Sequence, residues 1–324
     1  MLSSFTVVLS LWACTLEKEE EVVKVKMSPC RQVGYLFVAM LLLSALAGCN
    51  RHGPFLWRIE GQEGASSYLF GTIHSGDPRI LKLAPVVEIA LSESDIIYTE
   101  ILMEDVSTMR EELDTESLLP ESKTLEDVLP AKLYNNLEQY CKATAFPLDD
   151  IARHQVWYAA LKIMYRHCNY ETVLDKSIAV RAKKMGKVVR SLEDLGEQSE
   201  ALVSMLTLEE QMVQLQQVLI AMVTLERAGL NSCPIDLLLA DSYLSGDDEE
   251  ILQNSFRMPG KANKVVFYDR NKNMAQRIHE RLKSEPHRSH FFAVGVGHLL
   301  GERSVVTLLR NKGLRITRLR RFRR

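Results

Sequence analysis

The sequence predicts an α/β fold, a mainly parallel central sheet flanked by helices with a large helical insertion. Three observations predict it. Short apolar runs bounded by glycine or polar turns alternate with helical periodicity towards both ends of the chain. Between them, at about 102–174, apolar residues recur at three and four spacing, which is the period of a helix and not of a strand. Two of the strand-like runs, Tyr68-Leu-Phe-Gly71-Thr-Ile-His74 and Phe292-Ala-Val-Gly295-Val-Gly-His298, also end in the same Gly-x-x-His pattern.

Residues 1–48 read as targeting sequence and not as fold. Met27 is the expected true start: Met27-Ser-Pro-Cys-Arg31 supplies a positive n-region, and Tyr35 to Leu43 an apolar h-region. Leu46-Ala-Gly-Cys49 closes it in the manner of a lipobox, with Cys49 as the lipidated first residue of a bacterial lipoprotein. Asn50, which comes next, points to the outer membrane, facing the periplasm, by similarity to sorting rules in Gram-negative cells. The alternative is an uncleaved anchor, but the apolar run is shorter than the ~20 residues a spanning helix needs.

The remainder, 49–324, is long enough to bury one substantial core. Its first elements are a β-hairpin, Leu56 to Glu60 with Ser67 to Ile73, then a helix over Pro85 to Ser92 and a buried strand from Asp95 that ends on Glu100. In the insertion, Pro120, Pro130 and Pro147 each suit the start of a helix, and helices are expected over Ala131 to Lys142 and Asp149 to Arg166. Trp157, Tyr158 and Tyr165 read as packing residues.

The alternation then resumes. Asp175 to Met185 is a helix stopped by Gly186, and Lys187 to Glu193 is a strand that again ends on a carboxylate. Helices come next over Glu197 to Arg227, Asp236 to Leu244 and Lys261 to Lys283. The buried strand Phe291 to Val294 carries the second Gly-x-x-His, and a helix over Glu302 to Asn311, ended by Gly313, precedes a last alternating strand, Leu314 to Leu319.

Charge says little, with 40 Lys and Arg against 42 Asp and Glu. The asymmetry is local: Arg315, Arg318, Arg320, Arg321, Arg323 and Arg324 crowd the C-terminus, either to meet anionic head groups or as a solvated strand end. No aromatic interleaving argues for nucleic acid. Cys14 and Cys30 lie in the presequence and Cys49 carries lipid, which leaves Cys141, Cys168 and Cys233. None forms a C-x-x-C, so no zinc knuckle or redox motif is readable. One disulfide is allowed, expected between Cys141 and Cys168 on neighbouring predicted helices, with unpaired core cysteines as the alternative.

The chemistry falls on strand ends. In α/β folds the carboxyl edge of the sheet is where ligands bind, and His74, Glu100, Glu193 and His298 all lie there. Imidazole and carboxylate are the donors expected of a catalytic divalent-metal site with open positions. The plainer readings are a structural histidine after glycine and, for Glu100 and Glu193, acids that cap the next helix. Arg270-Asn271, within Phe267 to Met274, adds a fork of donors suited to a carboxylate or an oxyanion.

These residues together resemble a family. Leu69-Phe-Gly-Thr-Ile-His74, Tyr98-Thr-Glu100, Ser191-Leu-Glu193 with Gln198, Ser245-Gly-Asp247, Arg270-Asn271 with Met274, and Val294-Gly-Val-Gly-His298-Leu are similar in order and spacing to the TraB/GumN family, which includes the Tiki metalloproteases. The resemblance runs from about Phe55 to Leu319. It implies a divalent-metal-dependent peptide hydrolase (Mn, Co or Zn) in which His74 and His298 bind metal, Glu100 is a ligand or general base, and Arg270 and Asn271 orient substrate or steady the oxyanion. It also implies an architecture shared with erythromycin esterase and the haem-binding ChaN lipoproteins. One departure is Thr172-Val-Leu-Asp175, where the family often has Gly just before the Asp. The expectation is thus a lipid-anchored envelope hydrolase with a peptide or protein substrate; the alternative is a non-catalytic envelope lipoprotein that binds haem or metal.

Overall fold

The computed structural model describes residues 53–61, 65–102, 105–168, 173–194, 196–198, 206–255 and 260–319. The presequence, Cys49 and the last five residues, with four of the clustered arginines, lie outside them. Six strands form one sheet: β1 (Leu56–Ile59), β2 (Ser67–Thr72), β3 (Ile96–Thr99), β4 (Val188–Ser191), β5 (His290–Gly295) and β6 (Ile316–Arg318), in the order β4-β3-β5-β2-β1-β6.

The sheet is mixed, where the sequence suggested a mainly parallel one. The pairs β4/β3, β3/β5 and β5/β2 are parallel, whereas β1 runs antiparallel to both β2 and β6. The chain between β1 and β2 is too short for the crossover that a parallel pair needs, so these two strands run antiparallel. β2, β3 and β5 are buried at every position. Strands covered on both faces read as unbroken apolar runs, which is why they were legible.

Ten helices of seven or more residues are described: α1 (Pro85–Glu93), α2 (Asp105–Glu116), α3 (Ala131–Thr144), α4 (Val156–Met164), α5 (Leu174–Lys184), α6 (Leu208–Arg227), α7 (Pro234–Ser245), α8 (Asp248–Ser255), α9 (Arg270–Ser284) and α10 (Val305–Asn311). Buried side chains between β3 and β4, among them Leu125, Leu133, Leu137 and Ile163, belong to the same continuous core as the strands. No helix among the described residues is long and apolar enough to cross a membrane.

Three expected helices differ. The one predicted over Asp149 to Arg166 is a 3-10 turn at Leu148–Asp150 followed by α4. Backbone groups between them are taken by the 117–125 segment: Leu119 N–H donates to Arg153 O at 2.8 Å, Leu125 N–H to Ala152 O at 2.8 Å and Gln155 N–H to Ser117 O at 2.6 Å. That tertiary pairing displaces the helical ladder. α6 begins afresh at Leu208, because Thr207 and Glu210 form a reciprocal capping box. The predicted Lys261 to Lys283 helix contains a π-helical stretch, Lys264–Asp269, immediately before Arg270.

The disulfide joins Cys168 to Cys233, and not to Cys141. Cys141 is a free thiol on the buried face of α3, and burial pushes its pKa up to about 11. Cys168 lies just past the last turn after α4, and Cys233 is the N-cap of α7, a segment that sequence order places far away. At the C-terminus Arg318 belongs to the fold: its guanidinium lies 4.7 Å from the Phe55 ring centroid and 5.2 Å from that of Trp57, and pairs with Asp248.

Candidate active site

Parallel pairing of β2 with β5 sets Gly71 opposite Val294 and Thr72 opposite Gly295, so both Gly-x-x-His turns leave the sheet side by side. The glycines are needed for space. A Cβ on Gly71 would sit 2.9 Å from Phe55 Cβ and 3.0 Å from Val296 Cγ2, and one on Gly297 would sit 2.8 Å from Phe267 Cε1. Phe267 comes from the π-helical stretch, and its ring centroid is 5.1 Å from that of His298. An extra residue in a helical turn re-aims the side chains beyond it, here those of Arg270 and Asn271.

His298 is wholly buried, and Asn271 determines its proton. Asn271 Nδ2 donates to the Arg303 carbonyl at 2.8 Å, which fixes the orientation of the amide because a carbonyl only accepts. Asn271 Oδ1 therefore faces His298 Nδ1 at 2.6 Å, and that nitrogen carries the hydrogen. Nε2 is left as a buried lone pair with no hydrogen-bond partner among the described residues, 4.0 Å from Glu100 Oε1. Burial, assisted by the Arg270 charge, lowers the imidazole pKa to about 3, so the ring is neutral.

β3 and β4 place the two glutamates together. Beyond Thr99 and Ser191 their ladder continues, with Glu193 N–H donating to Glu100 O at 2.8 Å. Glu100 Oε1 accepts from Gly295 N–H at 2.6 Å, and Oε2 from Arg270 Nη2 at 3.0 Å and Gln198 Nε2 at 3.2 Å. Burial opposes its charge, but Arg270, with smaller contributions from His298 and His74, overcomes this and holds the carboxyl well below the usual carboxylate range.

Both oxygens of Glu193 are engaged. Arg270 Nε donates to Oε1 at 2.8 Å, Arg270 Nη2 to Oε2 at 2.5 Å, and Gln198 Nε2 to Oε2 at 3.0 Å. Arg270 Nη1 donates to Val266 O at 3.3 Å, so the guanidinium, 4 % exposed, is committed to protein groups along its fork. Asn271 is likewise committed at both ends.

His74 has a partner the sequence did not single out. Its Nδ1 lies 2.9 Å from Asp175 Oδ2, on the first turn of α5, and Asp175 Oδ1 accepts from Thr72 Oγ1 at 2.6 Å. Burial opposes charge on Asp175, while His74 and Thr72 hold its pKa down. α7 supports the same turn: Tyr243 OH donates to Gly71 O at 2.5 Å, and Ser75 Oγ donates to Asp236.

The structure thus brings His74, Glu100, Glu193, Arg270, Asn271 and His298 together at one edge of the sheet. Among the described residues no three His, Cys, Asp or Glu side chains are close enough to form a ready-made metal cage. Surface cavities of about 750 Å³ between α3 and α6 and about 720 Å³ beside α4 contain none of these residues.

The sequence matches the TraB/PrgY/gumN family over residues 55–318, and the chain belongs to that family. Among curated proteins it is similar to metalloprotease TIKI1 of Danio rerio, 26% identical over 325 residues, which cover 83% of this chain and 65% of that protein. The metalloprotease TIKI homolog of Amphimedon queenslandica is 26% identical over 359 residues, 91% of this chain and 68% of that one. Human metalloprotease TIKI1 is 25% identical over 313 residues, 81% and 61%. The chain therefore spans about two thirds or less of the length of these relatives. No solved structure matches it.

Proposed function

We propose that this protein is a divalent-metal-dependent hydrolase of peptides or proteins. The observation that carries this reading is the bare, buried Nε2 of His298, held towards an ionised Glu100 at the mouth of two paired strands. Charge accounting supports it: Glu100, Glu193 and Asp175 are buried carboxylates, and Arg270 is the one buried arginine among the described residues. Excess negative charge in a low-dielectric interior is costly unless a cation offsets it. The donor set of two imidazoles and a carboxylate fits Mn²⁺, Co²⁺ or Zn²⁺.

His74, His298 and Glu100 would hold the metal, which supplies Lewis acidity to polarise a carbonyl and acidify water. The chain's own contribution is orientation. Asn271 and the Arg303 carbonyl fix the His298 ring, while Gly295 N–H fixes Glu100 Oε1. Arg270 neutralises Glu193 and shares Glu100 Oε2, and Gln198 ties the two carboxylates together. In this reading Glu193 holds the arginine and is not a ligand, and Arg270 and Asn271 position the ligands and do not face an oxyanion. Glu100, kept ionised, suits a ligand better than a general base. The cluster of carboxylates favours a compact cation over a porphyrin, so we set the haem reading second.

The TIKI relatives carry the name metalloprotease, and this supports peptide as the substrate class. Lipidation at Cys49 and residence in the cell envelope rest on the Leu46-Ala-Gly-Cys49 motif, and the outer membrane facing the periplasm on Asn50 after it. The test is metal content of the full chain, wild type beside a His74→Ala, His298→Ala double variant, with cleavage of a peptide library with and without Mn²⁺ or Co²⁺. Stoichiometric metal lost in the variant together with metal-dependent cleavage supports the proposal. Bound metal without cleavage leaves a binding protein, and no metal in the wild type refutes both.

A further inference from the structure

We propose that Asp175 is a positioning residue that fixes the tautomer of His74, so that Nδ1 carries the hydrogen and Nε2 the lone pair. The inference rests on the metal reading only for its consequence; the tautomer itself comes from the contacts. His74 Nδ1 is the ring nitrogen 2.9 Å from the buried Asp175 Oδ2, off the line of a hydrogen bond but close enough that a lone pair on each atom would repel. A carboxylate can only accept, so in the neutral ring the hydrogen belongs on Nδ1. The carboxylate is itself held, with Thr72 Oγ1 donating to its other oxygen at 2.6 Å from the end of β2.

A second link joins the same two segments independently of these side chains. Leu174 N–H, in the first turn of α5, donates to Ser75 O at 3.3 Å. The start of α5 is thereby tied to the backbone beside His74 as well as to its ring. Asp175 is therefore placed by main chain, and its direction is set by Thr72, before it acts on the imidazole.

His298 provides the comparison within the molecule. Each Gly-x-x-His histidine has an oxygen acceptor at Nδ1, a neutral amide for His298 and a carboxylate for His74. Orientation of a ligating histidine by an acceptor on its other nitrogen is a general device, and removing such a partner typically weakens metal affinity about 10- to 100-fold. The two acceptors differ in charge and agree in geometry, so what they share is the tautomer. Asp175→Asn isolates that shared part: the amide oxygen accepts from Nδ1–H, and its nitrogen donates to the Thr72 hydroxyl.

The experiment uses the full chain, with Co²⁺ as the probe and ¹⁵N-edited NMR of the histidine rings in metal-free protein. We expect His74 in the Nδ1–H form in wild type and in Asp175→Asn, and in a mixed or Nε2–H form in Asp175→Ala. Co²⁺ affinity should fall about 10- to 100-fold in Asp175→Ala and stay within a few-fold of wild type in Asp175→Asn. An Nε2–H ring in the wild type would overturn the assignment whatever the variants do. So would wild-type affinity in Asp175→Ala, or equal losses in both variants, which would make charge the operative property. A wild type that binds no Co²⁺ but shows the expected tautomer would refute the metal reading and leave the role of Asp175 intact. Should Asp175→Ala fail to fold, the wild-type ring and the near-isosteric Asp175→Asn variant still decide.

Discussion

Asn271 Oδ1 lies 2.6 Å from His298 Nδ1, and the same amide is anchored to the Arg303 carbonyl at 2.8 Å. The buried His298 ring thus depends on one side chain. Asn271→Ala leaves its Nδ1–H without a partner, at a cost of roughly 1 to 3 kcal/mol, and frees the imidazole to change tautomer. Urea denaturation should show the lower stability. Titration with Co²⁺ should show weakened binding beyond what the fold loss explains, and unchanged affinity would mean that Asn271 only packs.

Arg270 is surrounded by Glu100 and Glu193. Arg270→Met strands two buried carboxylates and is expected to destabilise the protein by about 3 to 5 kcal/mol. Arg270→Lys should recover little, because an ammonium lacks the fork that reaches Glu193 through Nε and Nη2 at once. Adding Glu193→Gln to Arg270→Met should restore part of the loss, and chemical denaturation of wild type, Arg270→Met, Glu193→Gln and the double variant closes the cycle. Full additivity would show that the two residues do not interact.

Several buried histidines make the metal-free protein sensitive to mild acid. Burial lowers the pKa of His154 and of His290, and His298 is lowered to about 3. An unfolded histidine titrates near 6.5, so below that pH the unfolded chain binds protons that the native state refuses. Stability is complete above about 6.5 and declines as pH falls below it. Melts from pH 7.5 to 5 in the presence of a chelator should show this slope, and His290→Gln should flatten it. Stability constant across that range would contradict these assignments.

Cys168–Cys233 joins the segment after α4 to the N-cap of α7, the helix whose Tyr243 and Asp236 support the first histidine turn. Cys168→Ser or Cys233→Ser should cost roughly 2 to 5 kcal/mol, and Cys141, buried in α3, should react with thiol reagents only on unfolding. Mass spectrometry of alkylated native protein checks the pairing. A native Cys141 that labels readily would place it outside the core.

The site was legible in the sequence where strand and ligand coincide. Tyr68 to His74 and Phe292 to His298 combine a fully buried strand with a glycine and a histidine, and adjacent parallel strands bring them together. Glu100 and Glu193 were visible for the same reason. Asp175 was not, because an acid in the first turn of a helix reads as an ordinary dipole partner, and only the packing of α5 against β3, β4 and β5 brings it beside Thr72 and His74. The π-helical stretch before Arg270 was equally hidden, since an amphipathic pattern tolerates one extra residue. The restart of α6 could have been read, because Thr207-Leu-Glu-Glu210 carries a capping-box signature. The Cys168–Cys233 pairing and the 117–125 contacts that break the helix before α4 are tertiary, and local periodicity does not encode them.

The neighbours β2 and β5 come from early and late in the chain. Contacts this distant form late, because the intervening loop must be closed before they contribute. On the ribosome, the delay between the emergence of the first histidine and that of the second is on the order of tens of seconds. A nascent chain therefore carries His74 without its counterpart, and whatever chemistry the finished centre performs stays silent while the polypeptide is being made.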